Sequence, residues 1–112
     1  MTISTHVLDT SLGRPAASMT VRLQRMEGDA WVDVSRETTN NDGRVPALIP
    51  AETASPGGTY RLLFDAGVYF ARRGSQSFYQ TVTIEFVARD TAAHYHVPLL
   101  LSPFGYSTYR GS

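Results

Sequence analysis

An all-β domain, built as a sandwich of short strands, is the fold class this sequence predicts. Three observations carry it. Apolar residues recur with a period of two in segment after segment, the spacing at which side chains share one face of a strand. Clusters of Gly, Asn, Asp and Pro punctuate those segments and mark turns. Only one stretch has helical character, and it is short, so strands must supply the layers of the core.

Taken in order, "ISTHVLD" sets Ile3, Thr5 and Val7 on one face and Ser4, His6 and Leu8 on the other. "MTVRLQRM" turns Met19, Val21 and Leu23 inward and Thr20, Arg22 and Gln24 outward. After the spacer "EGD" the alternation resumes in "AWVDVSRETT", which makes residues 18–38 a hairpin. "NNDGR" is a strong turn signal, because Asn, Asp and Gly tolerate the positive φ of tight turns. Two further strands follow in "TYRLLFD" and "TVTIEFVA", with Tyr60, Leu62, Phe64, Val82, Ile84 and Phe86 as core faces. Between them, Val68–Arg73 is expected to form one or two helical turns stopped by Gly74. In "HYHVPLLLS", Tyr95, Val97, Leu99 and Leu101 share a face opposite His94, His96 and Pro98. Pro98 has no amide hydrogen, so this strand should be an edge or be bulged there.

The 112 residues suit a single domain spanning 1–112, with no repeat, linker or low-complexity segment. Ten basic residues balance ten acidic ones, so the footprint of a nucleic-acid binder is missing. The apolar run "VPLLL" is far short of the roughly 20 residues of a membrane helix. With no cysteine there is no disulfide framework and no thiolate chemistry. The opening "MTISTHVLDTSLGRP" lacks the cationic and apolar regions of a secretory signal, and cytoplasm is the expected compartment.

Among chemistry-bearing residues, His94 and His96 stand two apart on one strand, where with His6 they could reach one zinc ion. No cysteine or acidic partner sits at ligand spacing, and a surface histidine pair is the commoner explanation. No G-x-S-x-G elbow supports a serine nucleophile. "SPGGTYR" reads as a turn between strands and not as a phosphate cradle. Arg44 reads as a solvated turn residue, Arg72 and Arg73 as surface charges at a helix end, and Tyr106, Tyr109 and Arg110 as caps on the sandwich. Pattern alone therefore yields a β-sandwich with histidines on strand faces and no reaction.

The two ends of the chain nevertheless resemble a known family. "STHVLDTSLGRPA" at 4–16 is similar to the opening signature of the transthyretin-related proteins. "HYHVPLLLSPFGYSTYRGS" at 94–112 is similar to the closing signature of their enzymatic branch, the 5-hydroxyisourate hydrolases. "NNDGR", "FDAGVYFA" and "SFYQTVTIEF" match in kind and order, and "YRGS" discriminates best. One departure is Gln80, where the family commonly has proline.

That resemblance implies a transthyretin-like β-sandwich of two four-stranded sheets with one short helix, assembled as a homotetramer, a dimer of dimers. It implies hydrolysis of 5-hydroxyisourate to 2-oxo-4-hydroxy-4-carboxy-5-ureidoimidazoline in urate degradation, with no cofactor and no metal. Carried over by position, the catalytic set falls on His6, Arg44, His96 and Ser112, with Arg44, Tyr109, Arg110 and Gly111 binding substrate. His94 stays a structural or solvent-facing neighbour. Histidine suits the acid and base roles because its reference pKa of about 6.5 allows both protonation states near neutrality. Either of His6 and His96 is then the base. The terminal α-carboxylate, ionised at neutral pH from a reference value near 3.5, is expected to orient a guanidinium or a histidine tautomer. The alternatives are a transthyretin-like carrier of a small ligand, a zinc-binding member of the fold, or a generic adhesion sandwich.

Overall fold

The computed structural model describes residues 1–50 and 54–112. Its elements run β1 (Thr2–Asp9), β2 (Arg14–Pro15), β3 (Thr20–Glu27), β4 (Ala30–Thr38), β5 (Arg44–Val45), β6 (Gly58–Phe64), α1 (Ala66–Arg72), β7 (Val82–Ala88), β8 (His94–Ser102) and β9 (Gly105–Thr108). Among the described residues, no helix is long and apolar enough to cross a membrane.

Two sheets face each other. One has the order β4-β3-β6-β7, entirely antiparallel. The other runs β1-β8-β9, with β1 and β8 parallel. The free edge of β1 is shared by two short strands, β5 opposite Thr5 and His6 and β2 opposite Leu8 and Asp9. This sheet is therefore four strands wide, its fourth position divided between two pieces.

The alternation read from the sequence sets the core. Ile3, Val7, Val21, Leu23, Tyr60, Leu62, Phe64, Leu99 and Leu101 are wholly buried between the sheets, and Met19 and Val82 nearly so. Ile84 and Phe86 pack against this core while staying partly exposed. At about 25 cal/mol per Å² of apolar surface removed from water, such side chains each contribute roughly 1.5–3 kcal/mol. The 18–38 hairpin forms around a two-residue turn with Gly28 at φ 61°. The register slips between Leu23 and Gln24, leaving Val34 as the extra residue of a bulge. Gln24 is consequently buried under polar partners. It donates to Asp33 Oδ1 at 2.8 Å and accepts from Arg61 Nε at 2.7 Å.

The helix begins two residues earlier than the sequence suggests, at Ala66. Gly67 N–H donates to the Gln80 carbonyl at 2.8 Å, and the Gln80 side chain covers Gly67 so closely that a Cβ there would collide. Gln80 uses its carbonyl here, an acceptor that proline also has. Gly74, at φ 70°, ends the helix in the left-handed conformation. Arg72 and Arg73 do more than complement a dipole. Arg72 donates to the Ser18 carbonyl at 3.2 Å, and the Arg73 guanidinium lies 4.2 Å from the Tyr69 ring centre.

The strand β8 is not an edge. It lies between β1 and β9, and Pro98 stands opposite His6. The Pro98 carbonyl accepts from Thr108 Oγ1 at 2.7 Å, so the ring nitrogen faces the β9 side. There the neighbouring strand breaks off: β9 ends at Thr108 opposite Leu99, and the chain returns only at Gly111 opposite His96. The missing donor meets that detour, which is how an interior strand tolerates a proline.

Candidate active site

The outer face of the β1–β8 pair gathers residues from both ends of the chain. In the parallel register Thr2 stands opposite His94, Ser4 opposite His96, and His6 opposite Pro98. Residues opposite one another in neighbouring strands point the same way, so the side chains that turn away from the core at Ser4, His6, His94 and His96 form one surface. Arg44 joins it because β5 pairs antiparallel with β1 and sets Arg44 against His6.

A tight loop holds that arginine. Asn40 Oδ1 accepts from the amides of Asp42 and Arg44 at 2.9 and 3.0 Å, and the Asn40 carbonyl accepts from Gly43 N–H at 2.9 Å. Gly43 sits at φ 73° and its carbonyl accepts from Val7 N–H at 2.7 Å. A Cβ at Gly43 would run into the Val7 carbonyl. Only glycine satisfies both the positive φ and this approach, so "NNDGR" is a device for presenting Arg44 beside β1.

Ser4, Thr5, Arg44, Pro46, His94, His96 and Ser112 line a groove of about 280 Å³. His6 flanks it on the same face. His96 is half-buried, while Arg44, His94 and Ser112 are exposed. Burial pushes the His96 imidazole below the usual histidine value, and the charges of Arg44, then His94 and His6, push it the same way. His96 is thus held neutral near pH 7, with a lone pair available. Ser4 Oγ lies 2.8 Å from His96 Nδ1 and 3.0 Å from His94 Nε2, and Thr2 Oγ1 is hydrogen-bonded to His94 Nδ1. Among the described residues, no three His, Cys, Asp or Glu side chains are grouped to hold a metal ion.

The closing segment is divided. Gly111 N–H donates to the His96 carbonyl at 2.8 Å, bringing Ser112 into the groove. Tyr109 and Arg110 lie elsewhere. They line an apolar groove of about 250 Å³ with Ile84, Phe86, Val87, Tyr95, Val97 and Thr108. The Arg110 guanidinium sits 4.7 Å from the centre of the Tyr95 ring, on the core-facing side of β8. Within one chain, therefore, His6, Arg44, His96 and Ser112 come together, whereas Tyr109 and Arg110 straddle the sheet edge and fasten the tail from its other side. The sequence offers no role for Ser4, and His94 reads there as a structural or solvent-facing neighbour. Their one local signal is that they share the strand faces of His6 and His96.

The HIUase/Transthyretin family pattern matches residues 3–111. The chain belongs to this family. Within the family, it is 48% identical to 5-hydroxyisourate hydrolase 2 of Rhizobium meliloti over 98% of this chain and 95% of that protein. It is 45% identical to mouse 5-hydroxyisourate hydrolase over 98% and 94%. Klebsiella pneumoniae 5-hydroxyisourate hydrolase superposes with a TM-score of 0.86 at 41% identity, over the full length of both chains. Sea bream transthyretin in complex with thyroxine superposes with a TM-score of 0.91 at 31% identity, over 99% and 95%. The backbone is shared across the family, and the identity is higher towards the hydrolases.

Proposed function

We propose that this chain, acting as one domain, hydrolyses 5-hydroxyisourate to 2-oxo-4-hydroxy-4-carboxy-5-ureidoimidazoline. The observation that carries the reading is the convergence of Arg44, His96 and Ser112 in one groove beside His6. The hydrolase relatives at 41–48% identity support it.

The reaction opens a ring by attack of water on an amide-type carbonyl. It needs a base for the water, a positive charge beside the developing oxyanion, and an acid for the leaving nitrogen. His96, kept neutral by burial and by Arg44, is the base. Arg44 offers a planar fork of donors that stays charged, suited to the urea-like oxygens of the substrate and to the oxyanion. Ser112 contributes a hydroxyl at the mouth of the groove, and His6 stands across from Arg44 to exchange a proton with the ring or an ordered water.

The assembly proposed is a homotetramer, a dimer of dimers. Among the described residues, the sheet edges at β7 and β9 have no further strand beside them, which supports it. So do exposed aromatic side chains at Phe78, Phe104, Tyr106 and Tyr109 near that flank, a pattern that marks association surfaces. Light scattering on an eluting peak measures it directly.

The decisive experiment generates 5-hydroxyisourate with urate oxidase and follows the decay of its absorbance. Decay accelerated in proportion to added protein is expected, and decay at the spontaneous rate would overturn the reading. A small-ligand carrier is the second reading, favoured by the backbone likeness to the thyroxine complex. Thyroxine titration by calorimetry separates the two, since a carrier binds without turnover.

A further inference from the structure

The hydrolytic reading uses His96, but the structure continues beyond it. Four side chains form an unbroken chain of hydrogen-bonding groups along β1 and β8: Thr2 Oγ1 to His94 Nδ1, His94 Nε2 to Ser4 Oγ, and Ser4 Oγ to His96 Nδ1. The two imidazole planes are 14° apart with centres separated by 6.4 Å, so Ser4 bridges two nearly parallel rings. Ser4 is buried, whereas His94 and Thr2 are exposed. A buried hydroxyl flanked by two ring nitrogens has only one proton to give. Whichever ring receives that proton, the other must supply its own.

Two polarities satisfy every link. In one, His96 donates from Nδ1 to Ser4, Ser4 donates to His94 Nε2, and His94 donates from Nδ1 to Thr2. His96 then shows a bare Nε2 to the groove, as a base requires. In the other, each donor is reversed and His96 shows an Nε2–H, as an acid requires.

We infer that Ser4 and His94 are relay and positioning residues that switch His96 between base and acid. The inference rests on the hydrolytic reading. Attack takes a proton from water onto His96 Nε2. The Nδ1 proton of His96 passes to Ser4 Oγ while the Ser4 hydroxyl proton passes to His94 Nε2. One positive charge has then moved from half-buried His96 to exposed His94, where water solvates it, and His96 is neutral with its proton on Nε2. Donating that proton to the leaving nitrogen and reversing the relay restores the starting state, so protons and charge balance. The charged or titratable groups facing His96 are Arg44 from β5, His6 from β1, His94 on its own strand and the Ser112 terminus. Burial, and then the Arg44 guanidinium, oppose a cation resting on His96.

The test combines kinetics with the ring-nitrogen NMR spectrum of ¹⁵N-histidine-labelled protein. Ser4→Ala removes the bridge without adding volume. His94→Gln keeps an amide within reach of Ser4 but passes no proton. Both should lower kcat by about 10–100-fold with KM within twofold, since positioned acid–base catalysis contributes roughly 10²–10⁴. The double variant should be no worse than the weaker single one, as expected of groups acting as a unit. Ser4→Ala should also shift the His96 signals towards the Nε2–H tautomer. A merely structural Ser4–His94 contact predicts near-normal kcat in His94→Gln, and that result overturns the relay. Unchanged His96 signals in Ser4→Ala overturn it as well. A wild-type protein without turnover would instead sink the hydrolytic reading, and the NMR arm would then decide alone whether Ser4 sets the His96 tautomer.

Discussion

Gly111 lies flat against His96. Its amide donates to the His96 carbonyl at 2.8 Å, and a Cβ added to it would sit 2.5 Å from His96 Cδ2 and 3.3 Å from Pro98 Cγ. The glycine of "YRGS" is therefore demanded by the imidazole ring beside it. Gly111→Ala must displace either the tail or the imidazole. We expect kcat/KM to fall by about 10–100-fold, the scale on which misplacing a catalytic group by an ångström acts, with little change in the melting temperature. A wild-type rate in this variant would show that the tail and the ring are not coupled.

Arg44→Ala should lower kcat by about 10²–10³, the usual consequence of losing one preorganised donor to an oxyanion. The loop that presents it is held by Asn40 and Gly43 backbone contacts, which the substitution leaves in place. Circular dichroism and oligomeric state should therefore match wild type while turnover collapses.

Removing residues 109–112 separates two functions of the tail. It takes Ser112 out of the groove and also Arg110 from above Tyr95. Ser112→Ala takes only the hydroxyl. The truncation should lose both activity and some thermal stability, the point variant only activity. Equal activity in all three proteins would remove the tail from the mechanism.

The acid limb of the rate profile follows from His96. Its folded-state pKa lies below the ordinary value of 6.5 because burial and then Arg44 oppose the cation. The base form persists below pH 6.5, and kcat/KM should decline only as pH falls through the lowered value. The linked stability has the same sign. It is fully present above about 6.5, where folded and unfolded rings are both neutral, and is lost as pH falls and the unfolded ring protonates first. Arg44→Gln removes one repelling charge, so the His96 titration followed by NMR should move upward.

Away from the groove, Asp9 is buried. It accepts from Ser11 N–H at 3.0 Å, from the Ser11 hydroxyl at 2.5 Å and from the Tyr69 hydroxyl at 2.8 Å. Burial, then Asp9, raises the Tyr69 pKa to about 12, so the phenol remains a donor. Tyr69→Phe leaves a buried carboxylate short of a partner and should lower unfolding free energy by about 1–3 kcal/mol. Urea denaturation measures this, and kcat should be unaffected.

Much of this molecule is decided locally. Met19, Val21 and Leu23, or Tyr60, Leu62 and Phe64, alternate with polar residues, and a period of two commits each strand to one buried face whatever its partner. The positive-φ turn at Gly43 is equally local, because only glycine avoids the steric penalty there. Resemblance added the roles of His6, Arg44, His96 and Ser112, but not their neighbours. What tertiary structure decided is register. Periodicity says which residues share a face, and only the hydrogen-bonded pairing of β1 with β8 says that Ser4 meets His96 while Thr2 meets His94, partners 90 or more residues apart. The same pairing places Pro98 inside a sheet, opposite a break in β9. The hydrogen bond from Gly111 N–H to the His96 carbonyl then brings Ser112 to the outer groove, while Tyr109 and Arg110 remain on the inner flank with Tyr95.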